Sequence, residues 1–142
     1  MEKQLSPTIE LTQETYQELT ERNPFSKLLG LEVVEVAQGH LVGKLPFHRT
    51  LQNLYGDFHG GAISAAADTF CGLAAFTYGN FVSTIDANIQ YLRAGRDTEF
   101  LLYDAQVIKA GKNIIVVHFE SRDDQGNLTN IGTLSYFVKE KD

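Results

Sequence analysis

The 142 residues suffice for one domain with one core and fall short of two; 43% hydrophobic and 21% charged residues is a globular composition, which excludes a disordered chain. A net charge of −6 argues against nucleic acid as a partner of the surface as a whole. A single cysteine, Cys71, excludes an intrachain disulfide, no apolar run approaches the roughly 18 residues that span a bilayer, and the N-terminus lacks the basic-then-apolar layout of a signal peptide. We therefore expect a cytoplasmic protein with no membrane partner.

In chain order, Thr12 is placed to cap an amphipathic helix running to about Arg22, with Leu11, Tyr16 and Leu19 on one side. Asn23-Pro24 breaks it, because the residue before proline is pushed out of helical geometry. Residues 1–24 thus read as an N-terminal helical segment and 25–142 as the main domain. Phe25 to Leu29 reads as a short turn ending at Gly30. Leu31 to Ala37 and His40 to Phe47 read as two strands joined at Gln38-Gly39, with Pro46 near an edge or a strand end. A loop around Asn53 leads to a helix of small apolar residues from about His59 to Tyr78. Four β-rich segments follow: Ser83 to Leu92, Phe100 to Lys109, Asn113 to Ser121 and Leu128 to Val138. Turn signals at Ala110-Gly111-Lys112 and Asp124 to Asn127 separate the last three, and short connections predict antiparallel neighbours. The expected class is α+β: one curved antiparallel sheet of about six strands, two before a buried helix and four after, curling round that helix. One sheet face is left to be covered by the N-terminal segment or by another copy, so we expect an oligomer.

Asp68 is the residue that the local pattern does not explain. Ala62, Ile63, Ala65, Ala66 and Ala67 precede it and Phe70, Cys71, Leu73 and Ala74 follow, and a carboxylate in such a run is costly unless paired, hydrogen-bonded or neutralised. The N-terminus of the same helix carries unpartnered backbone N–H groups, and Gly60 and Gly61 let a ligand approach them. Such a site can polarise a carbonyl and hold an oxyanion, with Asp68 as nucleophile or as base toward water and Asn53 holding the water or the carbonyl. Gly60 and Asp68 are eight positions apart, about 12 Å along a helix axis, so one helix cannot bring both to one reacting group. Two antiparallel helices about a two-fold axis can. Together these parts suggest acyl transfer to water between subunits. The structural alternatives stand beside it: Gly60 and Gly61 as a tight turn into the helix, His59 as a cap or core histidine, and Asp68 as an acid bonded to a hydroxyl such as Thr84.

The pattern Asn53-x-x-Gly56-x-x-His59-Gly60-Gly61 followed by Asp68 resembles the hotdog-fold acyl-CoA thioesterases of the PaaI-like group. The resemblance continues through Ser83-Thr84-Ile85-Asp86-Ala87-Asn88-Ile89-Gln90-Tyr91-Leu92-Arg93 and Lys109-Ala110-Gly111-Lys112, and covers roughly residues 25 to 138. It implies a sheet wrapped round the central helix, dimers and often tetramers built as dimers of dimers, and hydrolysis of acyl-CoA without metal or other cofactor, coenzyme A being part of substrate and product. It implies that Gly60 donates its backbone N–H to the thioester oxygen, aided by Asn53 and His59. Asp68 of the facing subunit would serve as base or nucleophile, with Thr84 placing the water. The coenzyme A arm would run past Gly61, with Arg93, Lys109, Gly111 and Lys112 in plausible places for its phosphates, and Phe58, Phe70 and Leu54 near the acyl group. An acyl-CoA-binding module without turnover is the alternative from another class; the acid argues against it, since a binder needs none. A dehydratase or hydratase acting at carbon lacks its signature here. The four histidines have no metal-ligand spacing, Ser64 has no nucleophile elbow, and Lys109 to Lys112 is no P-loop.

Overall fold

The computed structural model describes residues 9–139. Helix α1 (Gln13–Arg22) begins where Thr12 accepts a hydrogen bond from the Thr15 N–H at 3.1 Å. Its Tyr16 is buried in the core, and its glutamines lace it to the outer edge of strand β1 (Glu32–Ala37). Gln13 and Gln17 donate to the Val33 and Leu31 carbonyls at 2.7 and 3.3 Å, and Gln17 accepts the Val33 N–H at 2.6 Å. Side chains thus satisfy backbone groups that an edge strand would leave open to pairing. Residues read as a turn form a one-and-a-half-turn helix, α2 (Pro24–Leu29), because Asn23 caps it, Pro24 takes its first position and Gly30 closes it at φ 73°.

Strands β2 (His40–Pro46), β3 (Val82–Tyr91), β4 (Phe100–Ala110), β5 (Ile114–Arg122) and β6 (Leu128–Val138) complete a six-stranded antiparallel sheet in the order β1-β2-β4-β5-β6-β3. Pro46 ends an internal strand. The rule that short connections join neighbours holds for β1-β2 and β4-β5-β6 and fails for β3, which pairs with β6. Residues 92–99 can span the three interstrand gaps of about 4.8 Å each that separate β3 from β4.

The sheet wraps helix α3 (Gly60–Phe76), for which His59 is the cap. Ile63, Ala66, Ala67, Phe70, Cys71, Ala74 and Ala75 form its buried face against Leu41, Leu101, Tyr103, Val117, Phe119 and Leu134. Gly43 lets β2 cross over the Phe70 ring, since a Cβ there would lie 2.2 Å from it. The opposite face of α3, which includes Gly61, Ser64, Asp68, Thr69 and Gly72, is open or half-buried, so Asp68 is not sealed in an apolar interior. No helix among the described residues is long and apolar enough to cross a membrane.

Candidate active site

The chain enters α3 under constraint from several directions. The Asn53 side-chain oxygen accepts the Tyr55 and Asp57 N–H groups at 2.8 and 3.1 Å, and the Asn53 N–H donates to the Asp57 carbonyl at 2.8 Å. The loop is thus wound around Asn53, with Gly56 supplying the left-handed residue at φ 87°. Arg96 grips the nearly buried Asp57 carboxylate through two bonds of 2.8 Å, and this bidentate pairing holds it below the usual carboxylate range against desolvation. His59 N–H then bonds the Leu51 carbonyl at 2.7 Å.

The imidazole Nδ1 of His59 accepts the Gly61 N–H at 2.8 Å, which puts the proton of the neutral ring on Nε2 and makes this histidine the cap. Gly61 is therefore occupied. The Gly60 N–H has no partner among the described residues. Its carbonyl accepts the Tyr91 hydroxyl at 3.1 Å, and a Cβ on Gly60 would find nothing closer than Tyr91 at 3.8 Å. This end of the helix lines a cavity of about 260 Å³ with Asn53, Phe58, Ile63, Tyr91 and Arg93.

Two turns along, Thr84 and Tyr136 both donate to Asp68 Oδ1 at 2.9 Å, and the Tyr136 hydroxyl also lies 2.9 Å from the Asp68 carbonyl oxygen. One oxygen is clamped and the other is free of partners among the described residues. Burial above all, with Cys71 and Asp68 adding, pushes the Tyr136 phenol far above the usual tyrosine range, so it remains a donor. Burial, then Asp68, likewise pushes the Cys71 thiol up, leaving it protonated and unreactive. Asp68 faces a second cavity, of about 410 Å³, between α3, α1 and the start of β3. Gly60 and Asp68 thus open on different cavities of one protomer.

A family model, Thioesterase superfamily, matches residues 55–130, which span the α3 entry, both cavities' α3 walls, strands β3 to β5 and the start of β6. The chain belongs to the thioesterase superfamily. The PaaI protein of the Escherichia coli phenylacetic acid degradation operon has the same fold, with a TM-score of 0.84 over 93% of this chain and 98% of that one at 22% identity. Thioesterase HI1161 of Haemophilus influenzae superposes with a TM-score of 0.84 over 92% of each chain at 25% identity. The smu.793 protein of Streptococcus mutans, bound to acetyl-CoA, gives 0.75 over 78% of this chain and 90% of that one at 26% identity. The fold is the PaaI-type hotdog, and the chemistry, at that level of description, is thioester hydrolysis.

Within this thioesterase the expected site residues fall into three groups. Asn53, Phe58, Gly60 and Arg93 share the first cavity, with His59 and Gly61 capping the helix beside it; Asp68 and Thr84 share the second. Lys109 stands near the end of β4 and Gly111 and Lys112 form the β4-β5 turn, held by the Gly111 N–H to the Ile114 carbonyl at 2.9 Å. That turn lies beside the end of β6 (Val138 N–H to Asn113 carbonyl), while Arg93 bonds Thr129 at the start of β6, on the order of 30 Å away. Leu54 is 98% exposed at the loop tip, and Phe70 is fully buried under Gly43 and beside Tyr103. The sequence reasoning missed Tyr136. Its signal was the alternation of β6, which turns Leu134 and Tyr136 inward and obliges a buried phenol to find an acceptor.

Proposed function

We propose that this thioesterase hydrolyses acyl-CoA at two equal sites formed between the antiparallel α3 helices of a dimer. The carrying observation is the split on one helix: an unpartnered Gly60 N–H on one cavity and a half-clamped Asp68 carboxylate on another. A two-fold axis beside α3 sets each against the other's counterpart. The exposed edge strand β3, with Ile85 and Tyr91 half open to solvent, supplies the edge on which a second copy would pair. Such dimers could pair again into tetramers.

In that arrangement the thioester oxygen sits on the Gly60 N–H at the positive end of α3, with the Asn53 side-chain amide as second donor and His59 holding the helix end. Oδ2 of the facing Asp68 then either attacks the carbonyl carbon, giving a mixed anhydride that water cleaves, or takes a proton from water held near Thr84. In both routes the C–S bond breaks, the thiolate leaves and is protonated to coenzyme A, and the acid is released. Antiparallel β3 strands bring Arg93 of one copy toward Lys109, Gly111 and Lys112 of the other, a basic entrance suited to the nucleotide phosphates. The acetyl-CoA held by the similar Streptococcus mutans protein supports this choice of thiol.

The test is thiol release from short, medium, long and aromatic acyl-CoAs by the wild type and Asp68→Asn. Wild-type turnover that falls by a factor of about 100 or more in Asp68→Asn is expected. Unchanged turnover in the variant would sink the mechanism. Tight coenzyme A binding without turnover of any acyl-CoA would make the protein a binding module.

A further inference from the structure

We propose that the cavity beside Asp68 selects neutral, apolar acyl groups longer than acetyl, and that Leu19 and Gly72 set their size. The proposal deepens the acyl-CoA reading and rests on it. The cavity starts at the Asp68 carboxylate and follows the open face of α3 toward its C-terminus. Leu19, Leu73 and Val82 line its course, and Phe76 and Phe81, stacked 5.6 Å apart at 18°, stand at the C-terminal end of the helix.

Three observations carry the assignment. The first is charge: among the described residues, Asp68 is the only acidic side chain of the lining and no basic one joins it. A carboxylate at the far end of an acyl group would find no cation to pair with among these residues, Asn23 being the polar group there, and would be repelled by Asp68. The second is Gly72. Its place in the helix interior lowers helix stability relative to alanine, yet a Cβ would meet nothing nearer than the Tyr136 ring at 3.6 Å. Packing within the protomer gives no reason for glycine at this position; the room it leaves in the cavity one turn beyond Asp68 does. The third is the fixed wall: Tyr16 is buried against Phe76 at 6.2 Å and two glutamines tie α1 to β1, so Leu19 is held in place across the cavity. The N-terminal helical segment is thereby part of the substrate pocket.

The experiment compares kcat/KM for acetyl-, hexanoyl-, decanoyl- and adipoyl-CoA in the wild type, Gly72→Ala, Gly72→Leu and Leu19→Ala. Wild type should favour hexanoyl over adipoyl by about 100-fold or more, and Gly72→Leu should lose at least about 10-fold more on decanoyl than on acetyl. Leu19→Ala should move the preference toward decanoyl. Gly72→Ala, for which the protein has room, covers the case in which Gly72→Leu does not fold: it should melt no lower than wild type and still lose more on decanoyl than on acetyl. Equal proportional losses on every substrate, or adipoyl turned over as well as hexanoyl, overturn the pocket assignment and leave the thioesterase reading intact. No turnover of any of the four by wild type overturns both.

Discussion

Removing the Tyr136 hydroxyl tests whether the role proposed for the Asp68 carboxylate depends on its being clamped. Tyr136→Phe deletes one oxygen and keeps the ring that packs beside Cys71 and Gly72. The lost hydroxyl lies 2.9 Å from both Asp68 Oδ1 and the Asp68 carbonyl, and its one proton serves the two acceptors in turn. A hydrogen bond to a charged acceptor is worth about 1.5–3 kcal/mol. Thr84 stays on Oδ1 at 2.9 Å, so the carboxylate keeps one anchor and the lower end of that range applies. We expect kcat for a good acyl-CoA to fall by about 10- to 30-fold, equivalent to about 1.4–2 kcal/mol, with KM little changed. Thr84→Val should act similarly, and the double variant should lose more than the sum of the two, because either hydroxyl alone still restricts rotation of the carboxylate. Thiol-release kinetics and a thermal melt on the same preparations give both readouts. A kcat within about twofold of wild type, or a loss fully explained by unfolded protein in the melt, would refute the clamp.

Gly60→Ala should fold normally, since its Cβ has 3.8 Å of clearance, and should lose about 100-fold in kcat because the methyl group occupies the approach to the free N–H. Gly43→Ala should do the reverse: overpacking against Phe70 should lower stability in urea titration by about 1–3 kcal/mol, while the folded fraction keeps its specific activity. Asp57, held by Arg96 below its ordinary value of 3.8, contributes stability that is present above that pH and lost as pH falls toward its folded value. Melting temperatures of Asp57→Asn and wild type should therefore converge as pH drops below about 4 and separate above it. A gap that stays constant across that range would remove the ion pair from the account.

What the sequence makes legible follows from range. Thr12 and the His59-Gly60-Gly61 entry announce themselves through neighbours within four residues, and the structure places helix starts at both. Asn23-Pro24 is legible as the break after α1, whereas the short helix it opens reads from the sequence as a turn. The β4-β5-β6 meander is legible because its turns are local. β3 is not, because its partner was chosen by the need to wrap α3 on both sides rather than by the length of its connection. The same holds for the site. Asp68 stands out from its own run of small residues, and Thr84 lies only sixteen positions on. Tyr136, sixty-eight positions away, and Leu19, on a helix that precedes the whole sheet, reach Asp68 and its cavity only through tertiary packing.

The strand order also fixes when the site can come into being. Among the described residues, strand β3 (82–91) pairs only with β6, which comes after the other five strands in chain order, and Thr84 and Tyr136 face each other across that pairing. Until β6 docks, Asp68 lacks both hydroxyls and α3 lacks the closing wall of its wrap. A nascent chain emerging N-terminus first carries its helix, its glycines and its acid long before it carries a hydrolytic site. Loop closure over some forty residues must precede that docking, which adds an entropic delay that grows only slowly with loop length. Truncation within β6 should therefore silence the enzyme even where most of the sheet survives, and the exposed interval before docking is the one in which a chaperone has the most surface to hold.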